Sequence, residues 1–243
     1  MTSGLYVALS GQIALEKRLN TIANNIANMN TPGFRAEEVK FEQVLAGTGR
    51  KGVAFVTQGE TYLSRRDGGI QYTGNPLDLA VEGNHWFAIG GPQGPVYTRD
   101  GRISISDSGE LQSVDGYPIL DTGGSGIRID PAGGAISIGD DGGITQGGRQ
   151  VGQIGIFDIP PEAKLARFEN SGVTSDIPAQ PVEDGIGAGV RQGYLESSNI
   201  NPVSEMARLI EVTRAFENAA AAIGEHENAT TEAIRELGST NGG

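Results

Sequence analysis

The chain has no cysteine among its 243 residues, which excludes disulfide scaffolds, thiolate catalysis and every cysteine-ligated metal site. Histidine is scarce: His85 and His226 stand alone, with no His-Glu-x-x-His pair to hold a metal. Aromatic residues make up 6%, with one tryptophan. Positive charge is also in short supply, 18 Lys and Arg against 30 Asp and Glu for a net charge of −12. Binding to phosphate backbones or anionic lipid requires a basic face, so nucleic acid is not an expected partner. No run of about 18 apolar residues is present. The first fifteen residues lack the cationic start, apolar run and small-residue cleavage site of a secretory signal, so no cleavable export signal is expected.

Glycine, by contrast, is abundant: 38 of 243 residues, more than twice the usual level of about 7%. Without a Gly-X-Y period this is not collagen, and 37% hydrophobic residues suffice for a core. Residues 47–193 hold 31 of the glycines, residues 1–46 hold three and residues 194–243 hold four. The net charges of these three stretches are −7, 0 and −5. A turn-rich middle lies between two turn-poor ends.

Both ends carry a seven-residue apolar period. Met1, Leu5, Ala8, Gln12, Leu15, Leu19, Ile22, Ile26 and Met29 alternate in steps of four and three, which places them on one helical stripe. Pro32 and Gly33 end the pattern, so a helix is predicted over 3–28. Asn201 can cap a second helix and Pro202 suits its first turn. Met206, Leu209, Thr213, Phe216, Ala220 and Ile223 then continue the stripe towards a stop at Gly238. At 1.5 Å per residue these helices are roughly 40 and 55 Å long.

The middle reads as short strands. Residues 96–99, 102–106, 110–114 and 117–120 alternate between Asp100-Gly101, Asp107-Ser108-Gly109 and Asp115-Gly116, and Asp-Gly between such runs predicts hairpin turns. Residues 135–138 and 143–145 repeat the idea around Asp140-Asp141-Gly142, and 153–157 follows. Residues 160–190 read as loop or weak strand. The predicted fold class is therefore α+β, with long coiled-coil-type terminal helices flanking a central all-β domain of short antiparallel strands. Residues 1–45 are expected to pack with 194–243 as a discontinuous domain, leaving 46–193 as the β domain.

The chain has no Gly-x-Ser-x-Gly elbow and no Gly-Lys-Ser/Thr phosphate loop. Gly185-Ile186-Gly187-Ala188-Gly189 lacks the third glycine of a dinucleotide fingerprint, and Asp140-Asp141-Gly142 lacks the remaining ligands of a calcium loop. Catalytic residues, cofactor, metal and small-molecule substrate are not expected. Asp78 and Glu82 are the one compact carboxylate pair that a glycan-cleaving alternative could use. A third reading is a monomeric β-rich secreted binder.

The first helix is unusual in its asparagines. Asn20, Asn24 and Asn28 recur every four residues, with Asn25 beside them, although asparagine is a poor residue for a helix interior. A solvated face is one reading. Assembly is the other, with Leu19, Ile22, Ile26, Met206, Leu209, Phe216 and Ile223 as an apolar seam and Asn20, Asn24, Asn25 and Asn28 as contacts between subunits.

Residues 19–35 (LNTIANNIANMNTPGFR), 73–83 (TGNPLDLAVEG), 97–101 (YTRDG), 193–203 (GYLESSNINPV) and 214–217 (RAFE) resemble, in order, the signatures of the bacterial flagellar rod and hook axial proteins. The chain is short for a hook protein, and it is most similar to proximal rod members, with distal rod members as the alternative. The resemblance implies a structural subunit of the periplasmic drive shaft, exported through the flagellar type III apparatus without signal cleavage. It also implies assembly with copies of itself and with other rod proteins, through terminal helices that line an inner tube beneath an outer β layer.

Overall fold

The computed structural model describes residues 2–40, 43–46, 53–56, 59–182 and 189–239. Two compact units are present. A helical unit comprises residues 1–26, 37–61 and 201–243, and a β unit comprises residues 27–36 and 62–200.

The helical unit holds α1 (Thr2–Ala27) and α2 (Pro202–Ser239). At the start of α2 the Asn201 carboxamide oxygen accepts from Ser204 N at 3.1 Å, and Glu205 N donates to Asn201 O at 3.0 Å, the cap that a helix N-terminus requires. The strand pair Gln43–Ala46 with Val53–Val56 belongs to the same unit, and Glu37–Lys40 pairs with Glu60–Leu63, a strand that runs on into the β unit. Lys17 Nζ on α1 donates to Gly59 O at 2.6 Å. Among the described residues no helix is long and apolar enough to cross a membrane.

The fold class needs correction. The chain has two helices among its described residues and is otherwise built mostly of strands, and the helices do not form a coiled coil. A coiled coil demands continuous knobs-into-holes contact along both partners, whereas α1 and α2 share no extended contact. The buried stripe also differs from the apolar one. On α1 it runs through Ala14, Thr21, Ile22 and Asn25, and on α2 through Glu205 and Val212, while Met206 is 48% exposed. Each stripe is rotated by about one residue towards polar side chains, which a count of apolar periodicity does not register.

The β unit is organised around a six-stranded antiparallel sheet. Its order is Leu165–Phe168, Gly172–Ser175, Gly94–Thr98, His85–Gly91, Ile156–Asp158, Gln180–Pro181. Alternation along the central strands feeds two cores. Phe87, Ile89 and Val96 pack with Leu79, Ile119, Ile144, Ile154 and Ile156. Trp86, Ala88 and Tyr97 pack on the other face with Leu63, Phe157 and Val173. A three-stranded sheet, Ile136–Ile138, Gly143–Gln146 and Arg149–Gln153, joins the first core through Ile138 and Ile144. Its hairpin turns at Asp140-Asp141-Gly142, where Gly142 has φ +80° and Asp141 Oδ1 accepts from Gly143 N at 2.9 Å.

One reading of the middle changes. Asp100-Gly101 does not link neighbouring strands: Gly94–Thr98 pairs with His85–Gly91 and Gly172–Ser175, whereas Ile103–Ile105 pairs with Leu111–Ser113. Gly101 serves close approach instead, since its carbonyl accepts from Leu79 N at 2.9 Å. Residues 160–190, expected as loop or weak strand, supply the hairpin Leu165–Phe168 and Gly172–Ser175 at one edge of the sheet. Within the glycine run at 185–189, only Gly189 lies among the described residues.

Candidate functional site

The helical unit presents two kinds of surface. Of the seam residues, Ile22 is buried; Leu19, Ile26, Leu209, Phe216 and Ile223 are half-buried. Met206 joins Val203 (75% exposed) and Ile210 (55%) as an apolar row on α2, and Leu9 and Ile13 form a shorter row on α1. Steps of three and four place each row on one helical face. Next to Ile22 lies a polar cleft of about 320 Å³ lined by Asn25, Glu37, Val39, Glu205 and Arg208. Along its α2 wall Arg208 donates to Glu205, one turn earlier, at 2.7 Å.

The asparagines have different environments. Asn20 is exposed, and Asn24 is half-buried with a polar contact of its own. Asn28 accepts from the Thr31 hydroxyl at 3.1 Å as α1 ends. Asn25 is 3% exposed and grips the backbone of one residue: its amide donates to Glu37 O and its oxygen accepts from Glu37 N, each at 2.9 Å. The carboxamide thus imitates a strand partner and pins the returning chain to the helix. Asn25→Asp keeps the acceptor but turns a carboxylate towards the Glu37 carbonyl. It is expected to lower stability by about 2–3 kcal/mol, against less than about 0.5 kcal/mol for exposed Asn20→Asp, measured by urea unfolding.

In the β unit, three of the signature segments meet at a buried ion cluster that spacing did not reveal. Arg35 and Arg99 are each 2% exposed and Glu196 is 1% exposed. Glu196 Oε1 accepts from Arg35 Nη1 and from Gly68 N, both at 2.8 Å, and Oε2 accepts from Arg99 Nε at 2.6 Å. Asp67 Oδ1 accepts from both arginines, at 3.0 and 3.2 Å. Arg99 also donates to the carbonyls of His85 and Gly83, and Arg35 to that of Arg66. The Trp86 ring lies 5.4 and 5.8 Å from the two guanidinium carbons, within cation–π reach. Burial pushes the Arg35 pKa below its ordinary range, with Glu196 opposing and Arg99 adding to the shift. Arg35 Nε is buried without a hydrogen bond.

Neighbouring residues hold the same chain ends. Phe34 is fully buried beneath the Arg167 guanidinium, 4.1 Å from its ring centroid. Asn199 accepts from Ala36 N at 2.7 Å and donates to Arg66 O at 2.8 Å. Arg35, Arg99 and Glu196 each fall within one of the signature segments, and no spacing in the sequence links them.

The alternative chemistry finds its groups engaged elsewhere. Asp78 is buried and accepts from the Asn75 amide at 2.9 Å, while half-exposed Glu82 pairs with Arg191 at 3.0 Å. His85 opens its strand with Nδ1 2.6 Å from Asp158 Oδ1, and His226 lies exposed on α2.

Comparison with known proteins gives three family matches in chain order. Residues 5–35 match the family described as flagella basal body rod protein. Residues 80–146 match the flagellar hook protein FlgE/F/G D1 domain, and residues 191–228 the flagellar basal body rod FlgEFG protein C-terminal region. The chain is 50% identical to the flagellar basal-body rod protein FlgF of Mesorhizobium japonicum, over 98% of this chain and 99% of that one. It is 47% identical to FlgF of Rhizobium meliloti, with 98% and 99% covered. With the rod protein FlgG of Bacillus subtilis it shares 34% identity, with 90% and 92% covered. The chain therefore belongs to the flagellar basal-body rod protein family.

Proposed function

We propose that this chain is a structural subunit of the flagellar basal-body rod, assembling through exposed apolar faces of its terminal helices and carrying torque through many parallel contacts. The observation that carries this reading is the row Val203, Met206 and Ile210, uncovered on α2, together with the shorter row Leu9 and Ile13 on α1. Contiguous exposed apolar surface marks a binding face. Neighbouring copies of this chain and other rod proteins are its partners, with half-buried Leu19, Ile26, Leu209, Phe216 and Ile223 completing the seam and Asn20, Asn24 and Asn28 adding polar contacts. The role is mechanical, without an enzymatic step, and the setting is the periplasmic rod. The marginal, asparagine-rich α1 suits a chain that passes unfolded through the type III export apparatus and orders fully once neighbours cover its apolar row.

Met206→Glu with Ile210→Glu tests the reading. Placing carboxylates at the centre of the face is expected to weaken association by about 2–4 kcal/mol. The variant should sediment as a monomer where the parent associates with concentration, and it should fail to restore swimming to a strain lacking the protein. A folded double variant that assembles like the parent rejects the proposal. The proximal position rests on the higher identity to FlgF than to FlgG. Locating the chain in basal bodies by cryo-electron microscopy decides between proximal and distal rod.

A further inference from the structure

We propose that the Arg35–Glu196–Arg99 cluster is a folding latch, making folding of the whole β unit conditional on docking of its two terminal segments, 27–36 and 194–200. Sequence distance is the first argument. Ala36 and Asn199 are bonded across 163 residues, and Arg99 and Glu196 across 97, so the cluster closes only when nearly the entire unit has been gathered.

Charge is the second argument. Arg35 and Arg99 face the same indole, and Asp67, with its side chain 46% exposed, is their other anionic partner. Until Glu196 arrives, two guanidiniums share a site that shields them poorly from each other. Leaving a buried charge without its partner is strongly unfavourable, whereas the completed pair adds little net stability. A cluster with that profile discriminates against incomplete states more than it strengthens the finished one.

Backbone fit is the third argument. A Cβ at Gly68 would stand 1.8 Å from Ser197 O, so the C-terminal segment lies directly on the 67–68 backbone. The Gly68 amide is in turn one of the donors to Glu196. Docking of the segment and satisfaction of its carboxylate are a single event. A chain whose last fifth is missing or restrained therefore keeps its β unit unfolded, and this property resides in residues of the β unit, apart from the helical faces proposed for assembly.

The single tryptophan, Trp86, lies at the cluster and reports on it directly. Refolding and unfolding of the full chain are followed by its fluorescence in urea jumps, for the parent, Glu196→Gln and Glu196→Asp. The latch predicts a loss in the folding limb: refolding slows by about tenfold or more while unfolding changes by less than about threefold, the pattern of contacts required in the transition state. The reverse pattern, refolding within about twofold of the parent and faster unfolding, shows that the cluster forms late and overturns the proposal. If Glu196→Gln does not refold at all, the same comparison on Glu196→Asp, which keeps the charge but shortens the reach, decides between the two outcomes.

Discussion

Arg99→Met is expected to destabilise the β unit by about 3–5 kcal/mol, the usual consequence of removing one member of a buried ion pair. Methionine fills much of the space but restores no donor. The substitution leaves Glu196 with one guanidinium instead of two and strips the Gly83 and His85 carbonyls of their side-chain partner. At about 2–4 °C per kcal/mol for a chain of this size, the melting temperature should fall by roughly 6–20 °C in differential scanning calorimetry. Arg99→Lys should recover little, because a point charge cannot meet carboxylate and carbonyls at once as the planar fork does. A melting temperature within about 2 °C of the parent would contradict the assignment of Arg99 to a coupled, buried network.

Gly101→Ala adds a single methyl group and is expected to cost about 3 kcal/mol or more, at the upper end of overpacking effects. The ideal Cβ lies 1.7 Å from the Leu79 carbonyl oxygen and 2.6 Å from its carbon. Both atoms belong to the backbone, so no side chain can rotate away. Relief requires separating the two segments and losing the bond from Leu79 N to Gly101 O. Leu79 is fully buried in the main core, so the displacement spreads into the packing. Backbone exchange at Leu79 and Ile103 should quicken first. By comparison, Gly94 has open space around its ideal Cβ, and strain from its φ of +132° is the main penalty there.

Local patterns were legible where local chemistry governs. Asn201 and Pro202 start α2, Pro32 and Gly33 follow the end of α1, and Asp140-Asp141-Gly142 turns a hairpin. Patterns failed where distant segments decide. An Asp-Gly pair at 100–101 has the composition of a hairpin turn, yet Gly101 is required by Leu79, more than twenty positions away. The apolar heptads gave helices but misjudged their partner, because Thr21, Asn25 and Glu205 supply part of each buried face. The ion cluster joins residues 35, 67, 99 and 196, a set with no period at all. Only the ordered resemblance to rod signatures pointed towards these segments, and it did so without indicating what they touch.

The sheet order limits edge-to-edge association of the β unit. The six-stranded sheet ends in the four-residue strand Leu165–Phe168 on one side and the two-residue strand Gln180–Pro181 on the other. Proline has no N–H to offer a new strand, and Arg167 on the opposite edge is already stacked over Phe34. Brief edges of this kind resist edge-to-edge growth into fibrils. Amyloid-like pairing of one β unit with another is thereby disfavoured.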